Sequence, residues 1–119
     1  MVAAATAQEL GLSPSILSDL QNTFARYPEI ASVLVFGSRA RSDYRPGSDI
    51  DLAVLAPGMS DQTFSRLWNE IDELPIAYKM DVLHLDRLAD AALRQQILRD
   101  GKVIYRGVKH GAPSTPYYA

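Results

Sequence analysis

Hydrophobic positions along the chain follow two different periods, and together they predict a small α/β or α+β domain. Apolar residues at helical spacing predict helices that begin after Ser13, after Ser60 or Asp61, and after Asp86. Four segments rich in β-branched or aromatic residues are predicted to be strands: 30–37, 49–55, 77–85 and 102–106. The order helix, strand, strand, helix, strand, helix, strand favours one small mixed sheet flanked by helices.

The same pattern divides the chain of 119 residues into one domain and two less regular ends. Residues 1–12 are small and weakly patterned, so we expect them to be loosely ordered or only partly helical. Residues 13–106 form the predicted domain. Residues 107–119 contain Gly, Pro, Ser and Thr without periodicity, and are expected to be a flexible tail or to order only against a partner.

Composition excludes several classes of site. The chain has no cysteine, so it has neither disulfides nor thiolate metal sites. No apolar run approaches the roughly 20 residues of a membrane span, and the start lacks the basic region of a signal peptide. A net charge of −2 gives no broad basic surface, so direct binding of nucleic acid is not expected. The sequence leaves the oligomeric state open.

Three aspartates stand out because they lie on segments otherwise suited to burial. Strand side chains alternate between faces, so Asp49 and Asp51 point to one side, while Ile50 and Leu52 point to the core. Asp81 interrupts the third predicted strand in the same way. If these strands are neighbours, the three carboxylates repel one another, and a divalent cation relieves that repulsion. Oxygen ligands of this kind suit Mg²⁺ or Mn²⁺.

A Gly-Ser pair at the end of the first strand suggests a phosphate-binding turn. Gly37 allows a sharp turn and a close approach of the backbone to a ligand. Ser38 can open a short helix whose free N–H groups face an anion. A phosphate-binding turn beside an Asp-x-Asp pair suits a nucleoside triphosphate with its metal.

Three arginines follow this turn, and two interpretations of them stay open. Arg39, Arg41 and Arg45 are suited to neutralising phosphate or departing pyrophosphate. Alternatively, they are solvated arginines paired with Asp43. His84 lies on the strand face opposite Asp81, so we interpret it as a packing or hydrogen-bonding residue rather than a ligand.

These motifs resemble those of the minimal nucleotidyltransferases of the DNA polymerase β superfamily. The matching residues are Phe36–Ser38, then Asp49–Leu52 after a spacer, and then Asp81 in "KMDVLHL". The ending "ILRDGKVIY" is also close to the family's form, and the resemblance spans 13–106. One departure is Ser42, where the family often has Gly.

The resemblance implies a role for each matched residue. Asp49 and Asp51 would hold the metal that carries the triphosphate, and Asp81 would join them at a second metal that activates an attacking hydroxyl. Gly37 and Ser38 would cradle the outer phosphates. The implied cofactor is Mg²⁺ or Mn²⁺, with ATP as the substrate of an adenylyltransferase.

The resemblance also implies a partner. Minimal members are typically encoded beside a small helical HEPN protein, as antitoxin and toxin, and can adenylylate a tyrosine of that ribonuclease. This would make the protein prokaryotic and cytoplasmic. The alternative is a non-catalytic binding module that neutralises a HEPN partner by covering it. The filled set of three aspartates favours the enzyme.

Overall fold

The computed structural model describes residues 5–107, which form one four-stranded mixed sheet with helices on both faces. The strand order is β3-β2-β1-β4. Strand β1 is antiparallel to both β2 and β4, whereas β2 is parallel to β3. The predicted fold class is therefore confirmed. The strands are β1 (Ser32–Phe36), β2 (Ile50–Leu55), β3 (Met80–His84) and β4 (Lys102–Arg106).

Local capping fixes where the longer helices begin. Ser13, Ser60 and Asp90 each accept a hydrogen bond from the backbone N–H three residues later, which satisfies one of the free donors of the first turn. The helices are α1 (Ala7–Leu10), α2 (Pro14–Ala25), α3 (Ser38–Arg41), α4 (Asp61–Asp72) and α5 (Ala91–Asp100).

The two faces of the sheet are covered unequally. Helices α2 and α4 pack on one face, where Ile50, Leu52 and Val54 are fully buried in the larger cluster of core residues. On the opposite face, α5 covers a smaller cluster that includes Ala53 and Ile97. Because Asp51 alternates with the buried residues of β2, it lies on this second face.

The N-terminal segment is more ordered than its weak pattern predicts. Thr6 and Glu9 form a capping box that starts α1. Leu10 is 1% exposed and Leu12 is 5% exposed, and the N–H of Ala5 donates to Val103 O at 2.9 Å. The segment is too short to show a period, so its order comes from contacts with distant residues.

The start of the last helix also differs from the prediction. Asp86 does not cap α5, because its carboxylate accepts the N–H of Ala56 at 2.6 Å and its residue lies in a 3₁₀ turn, Leu85–Arg87. Asp90 is the cap instead, and it accepts the N–H of Leu93 at 3.0 Å. Asp86 and Asp90 are both suited to capping a helix, and the contact of Asp86 with Ala56 leaves Asp90 as the cap.

The predicted tail begins one residue too early. Gly107 is buried, and its N–H donates to Ala31 O at 2.8 Å, so it belongs to the fold. The expectation of a flexible tail otherwise concerns residues outside the described range. Among residues 5–107, no helix combines the length and the apolar character needed to cross a membrane.

Candidate active site

The parallel pair of strands brings two of the three aspartates together. Asp51 of β2 is in register with Asp81 of β3. Neighbouring strands lie about 4.8 Å apart, and in-register residues project from the same face, so the two carboxylates are adjacent. Asp49 immediately precedes β2. Asp49 and Asp81 are exposed, whereas Asp51 is half-buried.

Burial and crowding act together on Asp51. Its pKa is raised, first by burial and then by the negative charges of Asp81 and Asp49. Arg41 and Lys79 act in the opposite direction. The three carboxylates thus lie close enough to interact electrostatically, and Asp51, which is affected by both of the others, is the one whose ionisation is disfavoured. Lys79, two residues before Asp81, is a charge near the site that the sequence analysis missed.

A glycine lies directly against the Asp51 carboxylate. Gly37 ends β1 with φ 76°, and a Cβ built on it would lie 2.5 Å from Asp51 Oδ2. No residue with a Cβ fits at Gly37 without moving the carboxylate, so the observed position of Asp51 depends on a glycine in the turn. Ser38 follows as the first residue of α3, as the sequence predicts. The Gly-Ser turn and the carboxylates therefore lie at the same end of the sheet, where β1 ends and β2 and β3 begin.

The ligand atoms at this end of the sheet fit a hard divalent cation. All of the candidate ligands are carboxylate oxygens, and space beside Asp51 is kept open by Gly37. Within the described part of the chain, no three His, Cys, Asp or Glu side chains are already arranged to hold a metal ion. Mg²⁺ is usually held by one or two carboxylates together with substrate phosphates. The site fits a metal that binds together with a nucleotide.

Arg39 does not lie where a phosphate ligand would be expected. It is 2% exposed, and its guanidinium donates to the carbonyl oxygens of Leu10, Gly11, Ser48 and Asp49. These bonds use the donors that a phosphate would need. The structure therefore corrects the sequence analysis, which considered Arg39 suited to a phosphate. The sequence could not show this because the carbonyls around Arg39 come from segments far apart in the chain.

Arg41 is exposed and close to the carboxylates. Its Nε lies 3.3 Å from Asp43 Oδ2, so the alternative of an arginine paired with Asp43 describes it. It also borders an open cleft of about 360 Å³, which is lined by Ala40, Arg41, Arg99, Asp100 and Lys102. Arg99 and Lys102 come from α5 and β4, and no local motif points to them.

His84 has the packing role predicted for it. The ring is 8% exposed and stacks on Phe64 with ring centres 5.1 Å apart. Its Nε2 is 2.9 Å from Ala56 O and 3.4 Å from a carboxylate oxygen of Asp86. The residue joins β3 to the loop after β2.

The backbone at Ser42 explains why the resembling family often has Gly there. Ser42 ends α3 with φ 65°, the one positive φ of a residue other than glycine in the described part of the chain. Glycine adopts this left-handed conformation without steric cost. The position where the resembling family often has Gly is therefore a position whose backbone favours Gly.

Comparison with known proteins gives the same assignment as the motifs. Residues 18–109 match the family model described as "Polymerase beta, Nucleotidyltransferase". No curated protein matches the chain.

Solved structures share the fold at low sequence identity. A toxin–antitoxin structure with AMP-PNP is 21% identical, with a TM-score of 0.62, and 86% of each chain is covered. A mutant of the toxin–antitoxin complex MntA–HpeT is 21% identical with a TM-score of 0.55, covering 87% of this chain and 84% of that one.

A protein from Sulfolobus solfataricus, described as a candidate nucleotidyltransferase, is 20% identical with a TM-score of 0.54. The match covers 83% of this chain and 85% of that one. The family model spans most of the chain and includes all three aspartates and the Gly-Ser turn. The chain belongs to the polymerase beta nucleotidyltransferase family.

Proposed function

We propose that the protein is a metal-dependent nucleotidyltransferase that moves AMP from ATP to a hydroxyl group, and that it acts as an antitoxin. The observation that carries this proposal is the pairing of Asp51 with Asp81 beside the Gly37 turn. A half-buried carboxylate crowded by two others is costly to keep charged, which favours a bound cation at that place.

The residues around the carboxylates would bind and orient the nucleotide. Gly37 and Ser38 would receive the outer phosphates, where the backbone can approach closely. Arg41 would neutralise their charge by exchanging its exposed contact with Asp43 for the phosphates. The adjacent cleft adds Lys102, whereas Arg99 there is paired with Asp100. Arg39 takes no part in this binding.

In the proposed reaction, the acceptor oxygen attacks the α-phosphorus of ATP. The bond from the α-phosphorus to the bridging oxygen breaks, pyrophosphate leaves, and the hydroxyl proton passes to solvent or to a nearby carboxylate. Bound Mg²⁺ or Mn²⁺ would supply charge neutralisation and lower the pKa of the attacking hydroxyl. Asp49, Asp51 and Asp81 would hold that metal and so align the two reacting groups.

The acceptor we propose is a tyrosine of a HEPN-type toxin encoded beside this protein. Two of the similar structures are toxin–antitoxin complexes, one of them with the ATP analogue AMP-PNP, which supports both the partner and the nucleotide. The same proposal puts the protein in the cytoplasm with its toxin. We propose that this partner, rather than residues 5–107, supplies the acceptor hydroxyl.

The direct test is incubation of the protein with α-labelled ATP, Mg²⁺ and the HEPN protein encoded next to it. We expect label on the toxin, mapped by mass spectrometry to a tyrosine, and loss of the label when that tyrosine is changed to Phe. Asp51→Asn should abolish transfer. The matched control is Asp72→Asn, an exposed aspartate of α4 outside the site, and it should transfer normally.

Two outcomes would contradict the proposal. If the toxin is neutralised in a complex without label transfer, the alternative of a non-catalytic antitoxin is correct. If label is transferred equally by the Asp51→Asn protein, the catalytic site lies elsewhere.

A further inference from the structure

Arg39 is a buried cation whose hydrogen bonds connect two distant segments. Its Nη1 donates to Leu10 O at 3.0 Å and to Gly11 O at 3.1 Å, at the end of α1. Its Nη2 donates to Ser48 O at 2.7 Å, and its Nε is shared between Ser48 O and Asp49 O at 3.3 Å each. One side chain thus ties the N-terminal segment to the backbone of Asp49.

Two aromatic rings complete the surroundings of this guanidinium. Its Cζ lies 5.2 Å from the centre of the Tyr44 ring and 4.8 Å from the centre of the Tyr78 ring. Attraction between a cation and aromatic rings offsets part of the cost of burying the charge. The carbonyl oxygens that accept its hydrogen bonds offset a further part of this cost, and the planar guanidinium can donate to several carbonyls at fixed angles. The side chain is therefore held in one orientation.

The loop from Ser42 to Asp49 needs such an anchor because it carries one of the candidate ligands. The loop lies between α3 and β2, and most of its residues are exposed. Two local contacts fix its earlier part: Asp43 N–H donates to Ser38 O, and Ser48 N–H donates to Arg45 O in a tight turn. Arg39 holds the far end of the loop, at the two carbonyls that directly precede β2.

We propose that Arg39 is a positioning residue: through Ser48 and Asp49 it sets the place of the Asp49 carboxylate, and the N-terminal segment supports it. Residues 5–12 then support the proposed catalytic unit without including any of the candidate ligands. This inference rests on the proposed function for its catalytic consequence. Its structural half, the tie between the N-terminal segment and the loop, can be tested by itself.

The first test replaces Arg39 with Lys, which keeps the charge but lacks the fork. We expect faster hydrogen–deuterium exchange in peptides covering 42–49, with unchanged exchange in β1. Affinity for Mn²⁺, titrated by electron paramagnetic resonance in the presence of α,β-methylene-ATP, should fall about tenfold or more, as for other groups that orient metal ligands. The matched control, Arg26→Lys, alters an arginine that pairs with Glu70 between α2 and α4, and should change neither value.

A second variant leaves Arg39 in place and perturbs the direct contact between the N-terminal segment and Tyr44 of the loop. Gly11 has φ +69°, and a Cβ there would lie 2.3 Å from the Tyr44 ring. Gly11→Ala should therefore displace the N-terminal segment or the ring, and should reproduce the faster exchange at 42–49 and the weaker Mn²⁺ binding. Gly58→Ala is its control, because nothing lies within 4 Å of the added Cβ.

The outcomes separate this inference from the proposed function. Unchanged exchange at 42–49 in both Arg39→Lys and Gly11→Ala would overturn it, even in an active enzyme. An Arg39→Lys protein with normal exchange and Mn²⁺ affinity but a raised KM for ATP would instead make Arg39 a phosphate ligand. If the unaltered protein neither binds Mn²⁺ nor transfers label, the proposed function fails, and the exchange data still decide whether the tie exists.

Discussion

At the scale of single residues, Asp51 has a carboxylate whose charge is disfavoured by burial and by Asp81 and Asp49, and it is also a candidate metal ligand. We expect Asp51→Asn to lower nucleotidyl transfer by about 10²- to 10³-fold or more, because the change keeps the shape of the side chain and removes the charge that we propose holds the metal. Transfer of label from ATP at saturating Mg²⁺ measures this, with Asp72→Asn as the control.

The same substitution should raise the thermal stability of the metal-free protein at neutral pH. The folded-state pKa of Asp51 is raised by burial and by Asp81 and Asp49, so the folded protein holds this proton more tightly than the unfolded chain. Stability therefore falls as pH rises between the unfolded and the folded pKa, and the full cost persists above that window.

Melting in EDTA over a pH series checks this expectation. The Tm advantage of Asp51→Asn should be present at pH 7 and should vanish at acidic pH, where Asp51 is protonated in both states. An Asn variant that melts lower than the unaltered protein at pH 7 would show that the carboxylate is stabilising, contrary to its crowded surroundings.

Ser42 gives a second residue-scale prediction. Its left-handed backbone costs about 1–2 kcal/mol in an L-residue, and glycine loses part of that gain through its more flexible unfolded state. We expect Ser42→Gly to raise the free energy of unfolding by about 0.5–1 kcal/mol, measured by urea denaturation. For Ser42→Ala, which keeps the Cβ, we expect no such gain; equal stabilisation by both would contradict the explanation from φ.

Residue-level prediction succeeded where one local rule was enough and failed where distant segments meet. Alternation along a strand is sufficient to predict that Asp51 faces away from the larger core. The surroundings of Arg39 come from α1, the loop before β2 and two tyrosines, so no local pattern could distinguish it from Arg41.

At the scale of elements, the contact between α2 and α4 depends on a polar group as well as on apolar packing. Tyr27 is 4% exposed, and its hydroxyl donates to Glu70, which also pairs with Arg26. Burial and this contact raise the pKa of Tyr27 to about 12. The neutral phenol is therefore the form that holds α4 against the end of α2.

We expect Tyr27→Phe to lower stability at pH 7 by about 1 kcal/mol, the usual net value of one hydrogen bond. Above the ordinary tyrosine pKa, the unfolded chain loses this proton first, so stability falls as pH rises from 10 towards 12. The Phe variant should lack that part of the fall. Urea denaturation at pH 7 and at pH 11 measures both values, and parallel pH slopes for the two proteins would contradict the role of Tyr27.

Element boundaries followed from the sequence wherever the cap and the hydrophobic period agreed. Ser13 and Ser60 are such cases. The period alone gave no sign of α1, because four helical residues do not complete a repeat, and its stability depends on burying Leu10. The beginning of α5 depended on the contact of Asp86 with Ala56, which only the folded chain brings together.

At the scale of the whole molecule, we expect nucleotide binding not to depend on residues 108–119. All candidate ligands lie upstream of Gly107, the last residue that the structure describes. We expect a protein ending at Gly107 to bind ATP with Mg²⁺ as tightly as the full chain, and to bind the proposed toxin more weakly, because the removed segment contains Tyr117 and Tyr118, aromatic residues suited to docking on a partner.

Calorimetry of both proteins, first with ATP and Mg²⁺ and then with the toxin, measures the two halves of this prediction. Loss of the nucleotide signal on truncation would contradict the first half. Equal affinity of both proteins for the toxin would contradict the second. The cut must leave Gly107 in place, because its N–H bonds to Ala31.

The unequal cover of the sheet has a consequence for how such a protein can evolve. The larger core, under α2 and α4, is on the face away from the aspartates, so it maintains the fold without limiting what approaches them. Helix α5 covers part of the aspartate face and displays Leu98, which is 54% exposed. Because the proposed acceptor would reach the aspartates over this face, substitutions at exposed positions of α5 such as Leu98 would alter the choice of acceptor, while the larger core and the three aspartates stay unchanged.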